Sequence, residues 1–433
     1  MQLEVMLILG VTFTLLLILG SPISVAIALS SFLALLPLYD PLTASQIIGQ
    51  KIIVSLDNFG FLAIPFFILA GLLMNSGGIA RRLIELAKVI AGPLPGALDH
   101  CTVIANMLFG AVSGSAVASA AAVGSAMGPL QKKEGYDPAF SAAVNIASCP
   151  SGLIIPPSGA LILYALITGG TSITALFVAG YIPGILMGLS VMAVIALMSK
   201  KHPKTPANKK SMSEKMNVVI DAIPSLFLIV FVMGGMIAGI FTATEASAAS
   251  VIYALILGFI YRELKVKALP QILTDAIIST SVVLFLVGAS TAMGWVFSIA
   301  EIPEYVAAGM LTISNEPWVI LLMMNIILLI MGTFLDLTPA ILIFTPIFFP
   351  VATQIGVDPV HFGIIMVFNN CIGIFTPPVG SALFVGSAVS GVSLKRVMPH
   401  LWPMFWAETA ALLLVTFVPS LSLWLPRLAG LVK

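Results

Sequence analysis

Ser148-Cys-Pro150-Ser151-Gly152-Leu-Ile-Ile-Pro156-Pro157-Ser158-Gly159 and Asn369-Asn370-Cys-Ile-Gly373-Ile-Phe-Thr376-Pro377-Pro378-Val-Gly380 are the two stretches on which the fold turns. They belong to a repeat. Pro129, Gly135, Asp137, Pro138, Gly152, Pro156, Pro157, Gly159, Gly170 and Ser172 recur as Pro350, Gly356, Asp358, Pro359, Gly373, Pro377, Pro378, Gly380, Gly391 and Ser393, all displaced by 221 as Pro377 is from Pro156. Proline has no amide hydrogen to give and its ring clashes with the preceding turn, so a proline pair in an apolar run interrupts a helix. Each half of the chain therefore carries an interrupted helix at an equivalent place. In a membrane chain, paired interruptions of this kind point to a transporter's binding site.

Composition sets the solvent. A chain of 433 residues with 59% hydrophobic and 9% charged residues, and a mean hydropathy of +1.13, needs lipid around it. The net charge of +1 and the lack of a basic run interleaved with aromatics leave nucleic acid unsupported. Cys101, Cys149 and Cys371 lie in apolar surroundings without zinc-type spacing and read as small core residues rather than a disulfide framework. The first apolar segment, Met6 to Leu19, has no basic flank and runs straight into a second, so it reads as a retained helix rather than a signal peptide.

The expected fold is an all-α integral membrane protein of two inverted repeats. Apolar segments near 5–20, 22–38, 61–76, 140–167 and 173–198 have counterparts near 217–239, 244–261, 275–298, 361–388 and 402–425, which gives ten crossings. Two further apolar stretches, 96–130 and 316–352, precede the interruptions and are rich in small or kinking residues, as suits re-entrant hairpins buried in protein. Five crossings per half turn the second copy upside down. The domain reading is a first repeat over 1–198 (scaffold 1–90, hairpin and broken helix 96–167), a lysine-rich linker over 199–216, and a second repeat over 217–433 (scaffold 217–298, hairpin and broken helix 316–390). Leu42 to Leu56 and Ile79 to Ile90 carry mixed faces, as interfacial or bracing helices do, and equally as short transmembrane ends do.

Charge tests this topology. Arg81, Arg82, Lys88, Lys132, Lys133, six lysines between Lys200 and Lys215, Arg262, Lys265, Lys267, Lys395 and Arg396 fall on one side of it, sixteen of nineteen; Lys51, Arg427 and Lys433 are the rest. The positive-inside rule makes that side cytoplasmic and puts both termini in the periplasm of a bacterial inner membrane.

Interrupting a helix in lipid frees carbonyls and amides that must find partners, at several kcal/mol each if they do not. In the first half, Gly110-Ala-Val-Ser113-Gly114-Ser115-Ala-Val-Ala-Ser119 faces the first interruption; in the second, Gly332-Thr333-Phe-Leu-Asp336-Leu-Thr338-Pro339 faces Asn369 to Gly380. Such hydroxyl, amide and backbone oxygens are hard ligands suited to an alkali cation. With no Lys or Arg inside the membrane segments, an anionic cargo would be met by half-helix N-termini, by Ser, Thr and Asn donors and by co-bound cations. The plainer reading of Ser113, Ser115 and Ser119 is close helix packing. Glu245 and Glu408 lie near expected helix ends, where interfacial or capping roles are the reading, and the four histidines flank apolar segments. A membrane enzyme is a third class, but no His-Glu-x-x-His or Gly-x-Ser-x-Gly occurs.

Phe61-Leu-Ala-Ile-Pro65-Phe66-Phe67-Ile-Leu-Ala-Gly71, then Ser113-Gly-Ser115-Ala, Ile155-Pro156-Pro157-Ser158, Phe177-Val-Ala-Gly180-Tyr-Ile-Pro183-Gly184, Thr244-Glu245-Ala and Thr376-Pro377-Pro378-Val-Gly380, resemble in order the large membrane subunit of tripartite ATP-independent periplasmic (TRAP) transporters over almost the whole chain. The resemblance implies a sodium-driven importer of organic acids of the C4-dicarboxylate or sialic acid class, in which hairpins and broken helices move as an elevator against a scaffold. It implies a periplasmic binding protein that delivers the cargo and a small four-helix membrane subunit, expected as a separate chain because the first large-subunit helix follows Met1 at once. Carried over by position, one sodium site would draw on Ser113, Gly114, Ser115, Ser148 and Ser151, and its mirror on Gly332, Thr333, Asp336, Asn370 and Thr376. The substrate would touch Ser115, Pro157, Ser158, Asn369 and Pro378. A stand-alone sodium/carboxylate symporter of similar design is the alternative.

Overall fold

The computed structural model describes residues 2–92, 94–198 and 211–432, and every described element is helical. The first half runs α1 (Gln2–Ile18), α2 (Ile23–Leu35), α3 (Pro41–Ser55), a 3-10 turn (Phe59–Leu62) leading into α4 (Ala63–Ser76), α5 (Ile79–Ala91), α6 (Ala97–Ser113), α7 (Ala116–Lys133), α8 (Pro138–Ser148), the single turn α9 (Ser151–Ile154), α10 (Gly159–Thr168) and α11 (Ile173–Met198). The second runs α12 (Met212–Ile237), α13 (Ala243–Ile260), α14 (Leu269–Ile299), α15 (Ile302–Ile313), α16 (Pro317–Gly332), α17 (Leu337–Gln354), α18 (Pro359–Gly373), α19 (Ser381–Ser390), α20 (Leu394–Phe417) and α21 (Ser420–Leu428).

The repeated residues make the same local structures twice. Asp137 and Asp358 cap α8 and α18, each carboxylate accepting from the amide two residues on (3.0 and 2.8 Å), with the following proline at the first helical position where no amide is needed. Gly135 and Gly356 end the preceding helices at φ 80° and 83°, a conformation that a Cβ makes costly. The Pro156–Pro157 and Pro377–Pro378 bonds are both cis.

The displacement of 221 extends beyond the quoted residues: α7, moved by it, lands on α17 end to end, and α5 on α15 within two residues. The copies part company at two places: α8 and α9 are separate where α18 runs on to Gly373, and the scaffold differs. The first has α3, a bend at Leu56–Asn58 and α4, where the second has the continuous 31-residue α14.

Six stretches are long and apolar enough to cross a bilayer: Phe59–Ser76, α11, α12, α13, Val266–Ile299 and α17. Two bent pairs, α8–α9 with α10 (46°) and α20 with α21 (56°), raise this to eight. The ten-segment expectation also counts α1, α2 and α18–α19, built of shorter apolar helices, and treats α17 as a hairpin arm. With the bent α8–α10 taken as one span, five spans (α8–α10, α11, α12, α13, α14) lie between the α6–α7 and α16–α17 hairpins, the odd number that opposite-facing hairpins require.

Two boundaries differ from the sequence reading. The last span starts at Leu394, not 402, and breaks at Val418, because Lys395 and Arg396 sit exposed in a first helical turn that tolerates charge. The linker expected over 199–216 lies outside the described residues up to 210; from Ser211 the chain is already in α12, started by a capping box in which Ser211 Oγ accepts from Glu214 N (3.2 Å) and Glu214 accepts from Ser211 N (2.7 Å).

Scaffold elements of the two halves pack on one another: α4 along α13, α14 against α2 and α3, α5 against α12. Each hairpin packs on its own interruption, α6 on α8 and α9, α16 and α17 on α18, and α10 crosses to α17. Cys101, Cys149 and Cys371 are free and buried within this packing.

Candidate functional site

Where each hairpin meets its broken helix, the contact is glycine on glycine. A Cβ placed on Gly152 would lie 2.4 Å from Gly110 Cα, and one on Gly110 2.9 Å from Gly152 Cα. In the second half a Cβ on Gly373 would lie 2.7 Å from Gly332 Cα, and one on Gly332 3.2 Å from Gly373 Cα. The backbones approach this closely only without side chains, as at small-residue crossings in membranes.

Around the first crossing the freed polar groups are closed by protein. Asn106 Nδ2 donates to Ser148 Oγ (2.8 Å), Asn145 Oδ1 (3.1 Å) and Asn145 O (3.2 Å); Asn106 Oδ1 accepts from Ser119 Oγ (2.8 Å); and Asn145 Nδ2 donates to Ala120 O (2.8 Å). Ser151 Oγ donates to Ser148 O (2.6 Å) and Ser158 Oγ to Leu153 O, so serines satisfy the carbonyls that the break releases. At the hairpin tip Gly114 has φ 64°, and Ser115 caps α7 by accepting from Ala118 N (3.2 Å) while Ser113 Oγ accepts from Ser115 N (3.4 Å). Ser119 thus bonds as well as packs.

Around the second crossing the closure is incomplete. Asn369 Nδ2 donates to Asn325 Oδ1 (2.8 Å) and Asn325 O (2.9 Å), and Asn370 Nδ2 donates to Met366 O (2.8 Å). The Oδ1 atoms of Asn369 and Asn370 are buried with no hydrogen-bond partner, and that of Asn370 would be 3.6 Å from a Cβ on Gly332. Asn370 Oδ1 is thus an unmet acceptor beside the hairpin tip, and Asn369 Oδ1 on the same helix is a second. Thr376 Oγ1 donates to Ile372 O (2.7 Å), Thr333 Oγ1 to Ile330 O (2.7 Å), and Val379 N to Thr333 O (3.3 Å), which ties tip to break. Asp336 stands apart, exposed at the start of α17, accepting from Ser381 Oγ (3.1 Å).

A cavity of 170 Å3 opens at the first tip, lined by Ser113, Gly114, Pro157, Gly159, Ser250 and Thr338 among apolar side chains of α4, α10 and α17. Of the five residues expected around a substrate, Pro157 alone lines it. Ser115 is occupied with its cap, Ser158 and Asn369 are buried on backbone and amide partners, and Pro378 is exposed on the second loop.

Sequence reading missed Asn106, Asn145 and Asn325, whose amide–amide pairings, Asn106 with Asn145 and Asn325 with Asn369, span 39 and 44 residues. It also misplaced Glu408. Instead of lying at a helix end, that residue is fully buried well inside α20, with neither carboxyl oxygen hydrogen-bonded. Starting α20 eight residues early moves it inward. Glu245 does cap: it accepts from Thr242 N (2.8 Å) while Thr242 Oγ1 accepts from Glu245 N (3.3 Å).

The model of the "Tripartite ATP-independent periplasmic transporter, DctM component" family matches residues 10–421. The chain belongs to the DctM family. Relatives include YgiK of Salmonella typhimurium, 53% identical over 417 residues (96% of each chain), and the sialic acid TRAP transporter large permease SiaM of Vibrio cholerae, 38% identical (89% of this chain, 90% of that one). The isethionate TRAP transporter permease DctMQ of Oleidesulfovibrio alaskensis is 39% identical, over 95% of this chain and 65% of the relative's length. The YdaH transporter of Alcanivorax borkumensis, 13% identical, shares the fold at a TM-score of 0.62 over 88% of this chain and 90% of that one. As a DctM protein the chain is a multi-pass inner-membrane permease, the large subunit of a TRAP transporter, and not an enzyme.

Proposed function

We propose that this DctM protein imports an organic acid together with sodium, by an elevator motion in which the hairpins and broken helices of both halves (96–167 and 316–390) slide against the scaffold helices (1–90 and 217–298). The observation that carries the reading is the unpartnered, buried Oδ1 of Asn370 beside the second glycine crossing, with the equally unpartnered Oδ1 of Asn369 next to it in sequence. Sodium is cargo here, and hard amide, hydroxyl and backbone oxygens suit it. At the second site Asn370 and Thr376 would take it with backbone from Gly332 and Thr333, and Asp336 would supply charge from the rim; at the first, Ser113, Gly114, Ser115, Ser148 and Ser151 are the candidates. The cavity at Ser113, Gly114 and Pro157 is the place for the acid; Ser115, Ser158, Asn369 and Pro378 do not line it and stay substrate candidates by their place in the motifs alone.

In this reading a periplasmic binding protein delivers the acid, a small four-helix membrane subunit joins as a separate chain, and both termini face the periplasm. The named sialic acid and isethionate permeases both carry acids, which supports an anionic cargo, read here as of the sialic acid or C4-dicarboxylate class. Proteoliposomes test it. Uptake should require an inward sodium gradient, the small subunit and the cognate binding protein together. Uptake by this chain alone would instead make it a stand-alone symporter, and uptake indifferent to sodium would refute the coupling.

A further inference from the structure

A second polar cavity, of 380 Å3, lies on the seam between scaffold and hairpin elements. Its floor is apolar, from Leu166 of α10 and Leu342 and Pro346 of α17; its rim carries Lys51 of α3 and Ser290 and Trp295 of α14. Lys51 stands at the end of α4 opposite to Arg81 and Arg82, so it belongs to the membrane face that the sixteen clustered basic residues avoid. Its ammonium sits 5.0 Å from the centre of the Trp295 ring, a weak cation–π attraction, and no carboxylate pairs with it among the described residues.

The second observation is Ser290. Its side chain is buried (4% exposed), lines this cavity, and its hydroxyl has no hydrogen-bond partner. The neighbouring hydroxyls are committed: Ser55 donates to Ile52 O (2.9 Å), Thr291 to Val287 O (2.9 Å) and Ser298 to Gly294 O (3.1 Å). The lining thus offers the Lys51 ammonium, the Asn58 amide and the Trp295 indole N–H, with the unpartnered Ser290 hydroxyl buried behind them, over an apolar floor. That combination is complementary to a carboxylate on a small carbon skeleton.

We propose that the Lys51–Ser290 cavity is a vestibule that binds the carboxylate of the incoming acid on the periplasmic side, before it reaches the cavity at Ser113, Gly114 and Pro157. This rests on the import reading and on the orientation from charge. Lys51 is one of only three cations on that face, with Arg427 and Lys433, and a cation there raises the local concentration of an anion. Lys51 leaves the Trp295 ring to pair with the carboxylate, so the indole reports occupancy.

The test is direct binding to the purified chain, independent of whether uptake is sodium-coupled. Succinate and N-acetylneuraminate are titrated while indole emission is followed, with acetamide as the uncharged control and Trp295→Phe to assign the signal. A saturable change with at least one acid is expected, absent with acetamide and lost in Trp295→Phe. Lys51→Gln should weaken it tenfold or more, Lys51→Arg should restore most of it, and Ser290→Ala should weaken it severalfold, each with an unchanged melting temperature. No saturable change with either acid, an equal response to acetamide, or equal affinity in Lys51→Gln overturns the proposal. Failure of sodium-dependent uptake alongside intact acid binding would refute the transport reading and leave the vestibule standing.

Discussion

In the first half Asn106 and Asn145 close on each other and on Ser119, Ser148 and Ala120; in the second, Asn369 and Asn370 place their amide nitrogens on Asn325 and Met366 and leave both side-chain oxygens unmet. Both halves keep the same backbone plan, a capped entry, a glycine crossing and a proline pair. Position 148 is Ser where its counterpart 369 is Asn, and 149 is Cys where 370 is Asn. A shared skeleton can therefore hold one interruption by internal hydrogen bonds and leave the other demanding a ligand, since an unmet buried acceptor costs about 1–3 kcal/mol. On the proposed reading the second interruption is the one left open for a cation, while the asparagines of the first serve to brace it.

The harshest way to break this comparison is at the glycines. Alanine should harm uptake and thermal stability in the order Gly152, Gly373, Gly110, Gly332, following the 2.4, 2.7, 2.9 and 3.2 Å approaches of the new Cβ to the opposing Cα. Overpacking typically costs about 1–3 kcal/mol, and the contacted atoms are backbone that cannot swing aside. Gly152→Ala should abolish uptake while Gly332→Ala retains most of it. If Gly332→Ala proved as damaging as Gly152→Ala in parallel uptake and melting assays, closeness of approach would not be what these positions select for.

The amides sharpen it next. Asn106→Ala strips partners from Ser119, Asn145 and Ser148 and should lower the melting temperature, by the equivalent of about 1–3 kcal/mol, with the sodium half-saturation of the remaining transport unchanged. Asn370→Ala should do the reverse, raising sodium half-saturation about tenfold, which corresponds to about 1.4 kcal/mol, at a melting temperature near that of the parent. The opposite assignment of effects would exchange the two roles. A smaller change is expected from Ser113→Ala with Ser115→Ala, where loss of the Ser115 cap costs about 1 kcal/mol and uptake falls severalfold. Full uptake by that double variant would remove the hairpin tip from the first site.

What was legible in the sequence is what backbone chemistry dictates locally. Asp137-Pro138, Gly135 and the proline pairs announce caps, ends and breaks from within a few residues, and their copies at 221 supply the symmetry. What was not legible depends on which face of a helix meets which neighbour. Asn106 reads as a polar residue in an apolar run until α8 is laid beside α6, and Asn325 reads the same way until it meets Asn369. Glu408 was misplaced for a related reason: exposed Lys395 and Arg396 look like a loop, so the helix was begun too late and its one acid put near an end. The substrate positions scattered because motif membership places a residue near the break without saying whether its side chain turns to the cavity or to the backbone, as Ser158 does toward Leu153.

The mildest test compares the two hairpin braces, α5 and its counterpart α15. In α5, Arg82 pairs with Asp221 of α12 (3.0 Å), reaches Glu263 beyond α13 (3.4 Å) and lies 3.5 Å over the Tyr261 ring, with only 11% of its side chain exposed. No Lys or Arg occurs in α15, which is held by apolar contacts of Ile302, Ala307 and Met310. The charged brace ties the base of the first hairpin to the scaffold of the second half, so Arg82→Ala should loosen one hairpin only. A partly exposed ion pair contributes about 0–1 kcal/mol and the ring stacking about as much again, so the melting temperature should drop modestly and uptake less than twofold. Arg82→Lys should fall between, because an ammonium keeps the charge and loses the planar stack. Proteolytic nicking or hydrogen exchange around residues 79–96 should rise in Arg82→Ala with no matching rise at 302–316. Equal exchange at both braces would mean that the buried face of α5, Leu83, Ile84 and Ala87, holds it alone, and that the two halves are braced by the same means after all.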